Sequence, residues 1–182
     1  MTMKRALFVA VVLGVAATSA AAAPPKGWKT YTDAKAGWSI SYPANFTVDT
    51  KYQSVTADPA VNGVSFAVPE SFGKGTNLNE AMVTVQVLPG KNCKPARFLS
   101  DPEDVKTVKA DGRTYTTATM PDGGMSQSRD TTLFLVSGTC TAVTYFVHST
   151  ERTVIDPMPK EYDAAKLTKL FDSIRATFTM KK

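Results

Sequence analysis

The sequence is poor in the residues that most often carry chemistry. Of 182 residues, one is His and two are Cys. A single imidazole, His148, cannot complete a Cys2His2 zinc site, and Cys93 and Cys140 lie far outside the Cys-x-x-Cys spacing of a redox pair. There is no Gly-x-Ser-x-Gly elbow for a nucleophilic serine; Gly63-Val64-Ser65-Phe66-Ala67 comes nearest and fails at its last position. Gly73-Lys74-Gly75-Thr76 lacks the leading spacing of a phosphate loop. The acidic group Asp101, Glu103 and Asp104 lacks the alternating oxygen ligands and central Gly of a calcium loop. These patterns imply no cofactor. Beyond the first segment no apolar run approaches the roughly 18 residues of a membrane-spanning helix.

What is present begins with that first segment. Lys4 and Arg5 precede an apolar stretch, Ala6 to Ala17, and a run of small residues from Thr18 to Ala23. Charge, short apolar core and Ala-x-Ala registers in that order read as a secretory leader over residues 1–22. The leader contains no Cys to take a lipid. The remaining 23–182 is expected to be one globular domain, periplasmic or secreted, with no transmembrane segment. Its composition, 43% apolar and 20% charged over the whole chain, is that of an ordinary folded protein. Loss of Lys4 and Arg5 lowers the net charge from +5 to +3, which with export argues against a nucleic-acid partner.

Export also places Cys93 and Cys140 where disulfides persist, and two thiols allow one pairing. A structural disulfide between them is expected.

Hydrophobic periodicity predicts mostly strands. Gly37 to Pro43, Val64 to Pro69 and Met82 to Leu88 alternate apolar and polar residues, and a proline ends or follows each. Three further strands are predicted at Thr114 to Met120, Ser126 to Val136 and Cys140 to His148, joined by turns at Pro121-Asp122-Gly123-Gly124 and Ser137-Gly138. The last of these is apolar on both faces, so the sheet needs cover on both. Leu167, Leu170, Phe171, Ile174 and Phe178 form one stripe of an amphipathic helix that starts at Asp163 as its N-cap. Shorter helical turns are predicted at Pro95 to Leu99 and, from the Asp101-Pro102 start signal, at Asp101 to Lys109. The class is α+β, with a central, mainly antiparallel sheet covered by helices and one disulfide.

The opening Gly37-Trp38-Ser39-Ile40-Ser41-Tyr42-Pro43 and the closing Leu170-Phe171-Asp172-Ser173-Ile174-Arg175-Ala176-Thr177-Phe178 resemble the end motifs of the PsbP-like and Mog-type α/β/α superfamily of exported proteins. The resemblance implies an α/β/α sandwich used for binding rather than catalysis. It carries over no binding residues, because the matching motifs are packing and turn elements.

Two sets of residues stand out as candidate sites. Lys91, Lys94, Arg97, Lys106, Lys109, Arg113 and Arg129 cluster in the middle of the chain and could meet an anionic partner. Met120, Met125 and His148 are the soft and imidazole ligands that copper would require, a weaker candidate than ordinary packing. The functional expectation is a non-catalytic exported protein that binds an envelope or secreted protein. The alternatives are a cell-envelope hydrolase working through carboxylates, and a carrier of a small apolar ligand or metal held between the sheet and its covering helix.

Overall fold

The computed structural model describes residues 24–181; the leader read at 1–22 lies outside the described residues. In chain order the elements are β1 (Trp28–Asp33), β2 (Trp38–Pro43), β3 (Thr47–Gln53), β4 (Asn62–Ala67), α1 (Glu70–Gly73), β5 (Leu78–Val87), β6 (Glu103–Ala110), β7 (Arg113–Gly124), β8 (Gln127–Val136), β9 (Thr141–Thr150), α2 (Ala164–Ala176) and β10 (Thr179–Met180). Seven strands form the main sheet in the order β3-β4-β5-β9-β8-β7-β6, and a second sheet has the order β1-β2-β10. Every pairing in both sheets is antiparallel. No helix among the described residues is long and apolar enough to cross a membrane.

The alternation in β5 and β9 divides the main sheet into two faces. Register pairs Val83 with Tyr145 and Val85 with Val143 on one side, and Met82 with Phe146 and Gln86 with Ala142 on the other. The first side packs under α2 and the small sheet, where Trp38, Ile40, Phe66, Val83, Val143, Leu167, Phe171, Ile174 and Phe178 form the larger core. Of the predicted stripe, Leu167, Phe171 and Ile174 are buried on α2 and Leu170 partly so, while Phe178 is buried beyond the helix end; Asp163 caps the helix by accepting from the Lys166 N–H at 2.8 Å.

The opposite face has cover, but the expected helix on that side is absent, and the fold is sheet-dominated rather than a helix-covered sandwich. Two straps, residues 54–61 and 88–100, lie there instead. Val61, Phe98 and Leu99 of the straps pack on Ala118, Leu133, Leu135 and Ala142 of the sheet. The second strap is helical only in one short 3-10 turn, Pro95–Arg97, within the Pro95 to Leu99 turn expected from the sequence; before it, Pro89 and the positive φ of Gly90 and Asn92 keep the backbone irregular. It is fixed covalently by the Cys93–Cys140 disulfide, as the sequence predicts. Ser100 N–H donates to Thr56 O at 2.7 Å and Thr56 Oγ1 donates to Phe98 O at 3.2 Å, so the straps also hold each other.

Two local expectations are overturned. Asp101 to Lys109 is not helical: Glu103–Ala110 is the edge strand β6, whose Val105, Thr107 and Val108 suit a pleated ribbon better than the Asp-Pro start signal suits a helix. Pro121 to Gly124 is not a turn either. Those residues continue β7, pairing through Gly124 with Gln127, and the chain reverses at Met125-Ser126, both at positive φ. Strands β1 and β3 carry no clear alternation in sequence and are seen only in the structure.

Candidate functional site

Sheet register gathers part of the predicted basic set at one end of the molecule. The β6–β7 turn, the β8–β9 turn and the C-terminal end of β5 all lie there, since Ala110 pairs with Arg113, Tyr115 with Val136, and Val87 with Thr141. Lys109 and Arg113 stand beside the first of these turns. Lys91 and Lys94 join them because Leu88 N–H donates to Cys140 O at 2.8 Å and Cys93 N–H to Thr139 O at 3.1 Å, which anchors the strap to the β8–β9 turn. Arg97 and Lys106 sit further along, on the strap and on β6.

Arg129 does not belong to this group. It lies toward the other end of β8, in register with Asp122 on one side and His148 on the other. The structure adds Lys35, Lys51 and Lys181, which no linear signal connects to the predicted cluster. Tyr52 of β3 pairs with Gly63, placing Lys51 at the same end. Lys35 stands in the β1–β2 turn beside Asn62, Val87 and Pro89, and Lys181 N–H donates to Gly37 O at 2.7 Å.

Among the described residues the only salt bridges are those of Arg175 with Asp111 and Asp172. The lysines of this end thus form no salt bridge; the carboxylates near them are Asp33, Asp49, which accepts from the Lys51 N–H at 2.8 Å, and the already engaged Asp111. Glu70, Glu80, Glu103, Asp122 and Glu151 lie toward the opposite end, interspersed with Lys74, Arg129 and Arg152. The charge is polarised along the strands.

The candidate copper ligands are not brought together. Met125 is 97% exposed at the β7–β8 turn, and the Met120 sulfur accepts from Ser100 Oγ at 3.4 Å beneath the strap. His148 is two strands away from Met120, with its Nε2 2.8 Å from Gln127 Oε1.

A second site lies between α2 and the β8–β9 part of the main sheet, the place that the sequence suggests for a carrier's ligand as an alternative, though it names none of the lining residues for that role. It is an open cleft of about 430 Å³. Phe134, Tyr145 and Val147 form its floor, and Leu167 and Phe171 one wall. Asp130, Thr132, Tyr162, Thr168, Asp172 and Arg175 supply its polar groups. Arg175 is its structural anchor, with a side chain only 7% exposed. Nε donates to Asp111 Oδ2 at 2.9 Å, and Nη1 donates to Asp172 Oδ1 at 2.7 Å and to Tyr145 Oη at 2.8 Å. The guanidinium carbon also lies 4.1 Å from the centre of the Phe134 ring.

Asp111 reaches Arg175 from 64 residues away because Asp111-Gly112 is a two-residue turn with both φ values positive. Burial alone would lower the Arg175 pKa, but Tyr145, Asp111 and Asp172 reverse this and hold it above its ordinary value. Burial, opposed by Arg175 and reinforced by Asp172, pushes the Tyr145 phenol well above its usual value, so it stays a donor to Asp172 Oδ1 at 3.0 Å. The Tyr162 phenol is also raised, by burial first and then by Asp130 and Glu161.

No family model and no curated protein matches the sequence. Among solved structures, the chain is similar to the solution structure of cyanobacterial PsbP from Synechocystis, at 12% identity and a TM-score of 0.47, over 91% of this chain and 99% of that one. It is also similar to a crystal structure from Bacteroides thetaiotaomicron, at 13% identity and a TM-score of 0.49, over 85% of this chain; it spans 48% of that chain's length.

Proposed function

We propose that the protein works without catalysis, as an exported binding protein whose basic end meets an acidic surface on an envelope or secreted protein. The observation that carries this reading is the set of lysines outside any salt bridge, Lys91, Lys94 and Lys109 with Lys35 and Lys51, that the sheet register collects at one end. Exposed, uncompensated charge of one sign speeds encounter with a complementary surface and makes binding depend on ionic strength. The disulfide supports an oxidising compartment, in agreement with the leader. A hydrolase built on paired carboxylates gains no support from the cleft, where Asp111 and Asp172 are both held by Arg175.

The test is crosslinked affinity purification from the native envelope with the disulfide-bonded protein, at about 0.05 and about 0.5 M salt, spanning the range over which the Debye length shrinks severalfold. The triple variant Lys91→Glu, Lys94→Glu, Lys109→Glu runs beside it. A partner that is captured at low salt, released at high salt and lost in the triple variant supports the reading. Capture indifferent to both salt and charge reversal, or no capture at all, overturns it.

A further inference from the structure

We propose that the cleft between α2 and the β8–β9 face is a binding site for a small organic cation, an ammonium group carried on an apolar body about the size of one aromatic ring. This inference is independent of the basic end. The cleft volume, about 430 Å³, falls within the range of small-molecule sites. Its lining has the two components that recognise such a ligand. One is aromatic: Phe134 and Tyr162 are half-buried rings that present surface to the cleft, with Tyr145 and Phe171 packed behind them at 5.2 Å between ring centres. The electron-rich ring faces attract a cation, as Arg175 over Phe134 illustrates; since Arg175 already covers that face of Phe134, Tyr162 is the ring that would meet the ligand's ammonium and Phe134 packs against its apolar body.

The other component is a carboxylate on each wall. Asp172 projects from α2 and gives its Oδ1 to Tyr145 and Arg175, while its side chain remains 46% exposed. Asp130 projects from β8 on the other wall, exposed, with Oδ2 accepting from Ser128 Oγ at 2.8 Å.

The sign of the ligand follows from the charges already engaged. Arg175 is the only base in the lining, and two carboxylates, Asp111 and Asp172, share it. Adding Asp130 leaves the cleft with an excess of negative charge. The other bases of α2 do not cancel this: the Lys166 ammonium lies 5.7 Å from the Phe72 ring, outside the lining, and Lys169 is on the exposed side of the helix. An anionic ligand would face Asp130 and Asp172 with no free base. A neutral apolar one would desolvate both carboxylates without replacing their water.

The experiment is a titration of the purified, disulfide-bonded protein with two probes of nearly equal size and opposite charge, 2-phenylethylammonium and 3-phenylpropionate, followed by amide chemical shifts. The ammonium is expected to shift residues of 130–134, 145–147 and 168–175, and the carboxylate to leave them in place. Asp130→Asn, a substitution at an exposed position, removes one charged contact and should weaken ammonium binding about tenfold. Thr168→Trp should block the cleft sterically and abolish the response, while the triple Lys→Glu variant should retain it. The last arm separates this site from the basic end, since partner capture can fail with ammonium binding intact. Absence of ammonium binding, equal binding of the two probes, or binding indifferent to both Asp130→Asn and Thr168→Trp overturns the proposal.

Discussion

Replacing Cys93 and Cys140 together by Ala tests what the crosslink contributes, because the folded structure provides other means of holding the strap. Phe98 and Leu99 are fully buried against the sheet, and backbone bonds tie residues 88 and 93 to the β8–β9 turn. The strap should therefore remain docked in the variant, and the main loss should fall on the unfolded chain, which regains the freedom of a closed loop. With the cysteines 47 positions apart, the loop-closure relation gives about 14 cal/mol/K, or about 4 kcal/mol at 25 °C. Urea unfolding monitored by tryptophan fluorescence should show the midpoint falling by about 2 M for a slope of about 2 kcal/mol/M. Thermal midpoints should fall by roughly 8–16 °C. Amide exchange in 95–100 should stay slow in the folded variant. A destabilisation below about 1 kcal/mol would refute the loop-entropy reasoning; rapid exchange confined to 88–100 would show instead that the disulfide holds the strap in the native state.

Arg175→Met should cost about 3–5 kcal/mol, because it strands the Asp111 carboxylate beside a packed core and takes a donor from both Tyr145 Oη and Asp172 Oδ1, and Arg175→Lys should recover only part of that since it cannot reproduce the forked geometry; chemical denaturation of the two variants measures both. Stability should also decline in alkali. The Tyr145 phenol is raised in the fold while an unfolded tyrosine ionises near pH 10, so its contribution is complete below about pH 10 and is lost progressively above it. Denaturation midpoints between about pH 9 and 11 should show the decline, and Tyr145→Phe should make it shallower. Gly63→Ala should destabilise by about 1–3 kcal/mol, because the added methyl would sit 2.6 Å from the Val85 carbonyl oxygen on the paired strand and force the backbones apart; a thermal melt reads the loss.

The parts of the fold legible in the sequence are those whose pattern is set by neighbours close in the chain. Val83, Val85 and Val87 announce a strand by themselves, and Leu167, Phe171 and Ile174 announce a helix, because one buried face dictates each period. β6 was misleading for the opposite reason: Asp101-Pro102 is a local helix signal, and pairing with β7 overrides it. The cover of the second face was legible as a need, from Phe146 and Ala142, but not as two irregular straps, since strap conformation rests on glycine and asparagine backbone angles and a crosslink. Both candidate sites depend on long-range register. Lys35, Lys51, Lys91 and Lys109 come to the same end of the molecule only through sheet order, and Arg175 meets Asp111 only because a tight turn on the far edge of the sheet points back at α2.

The small sheet has a consequence for the timing of folding. Its central strand, β2, pairs with β1 from the start of the domain and with β10 from its end, Ser39 opposite Thr179 and Trp38 opposite Met180. Thr177 Oγ1 accepts from the Ser41 N–H at 2.8 Å, and the Ser39 and Thr179 hydroxyls lie 2.6 Å apart, so the same seam is fastened by side chains as well. A chain emerging N-terminus first can form the β1–β2 hairpin early, but cannot close that seam until residue 181 is free. Trp38, Ile40 and Phe66 then wait for Phe171, Ile174 and Phe178, which makes the last step of folding a capture of the earliest strands by the latest residues.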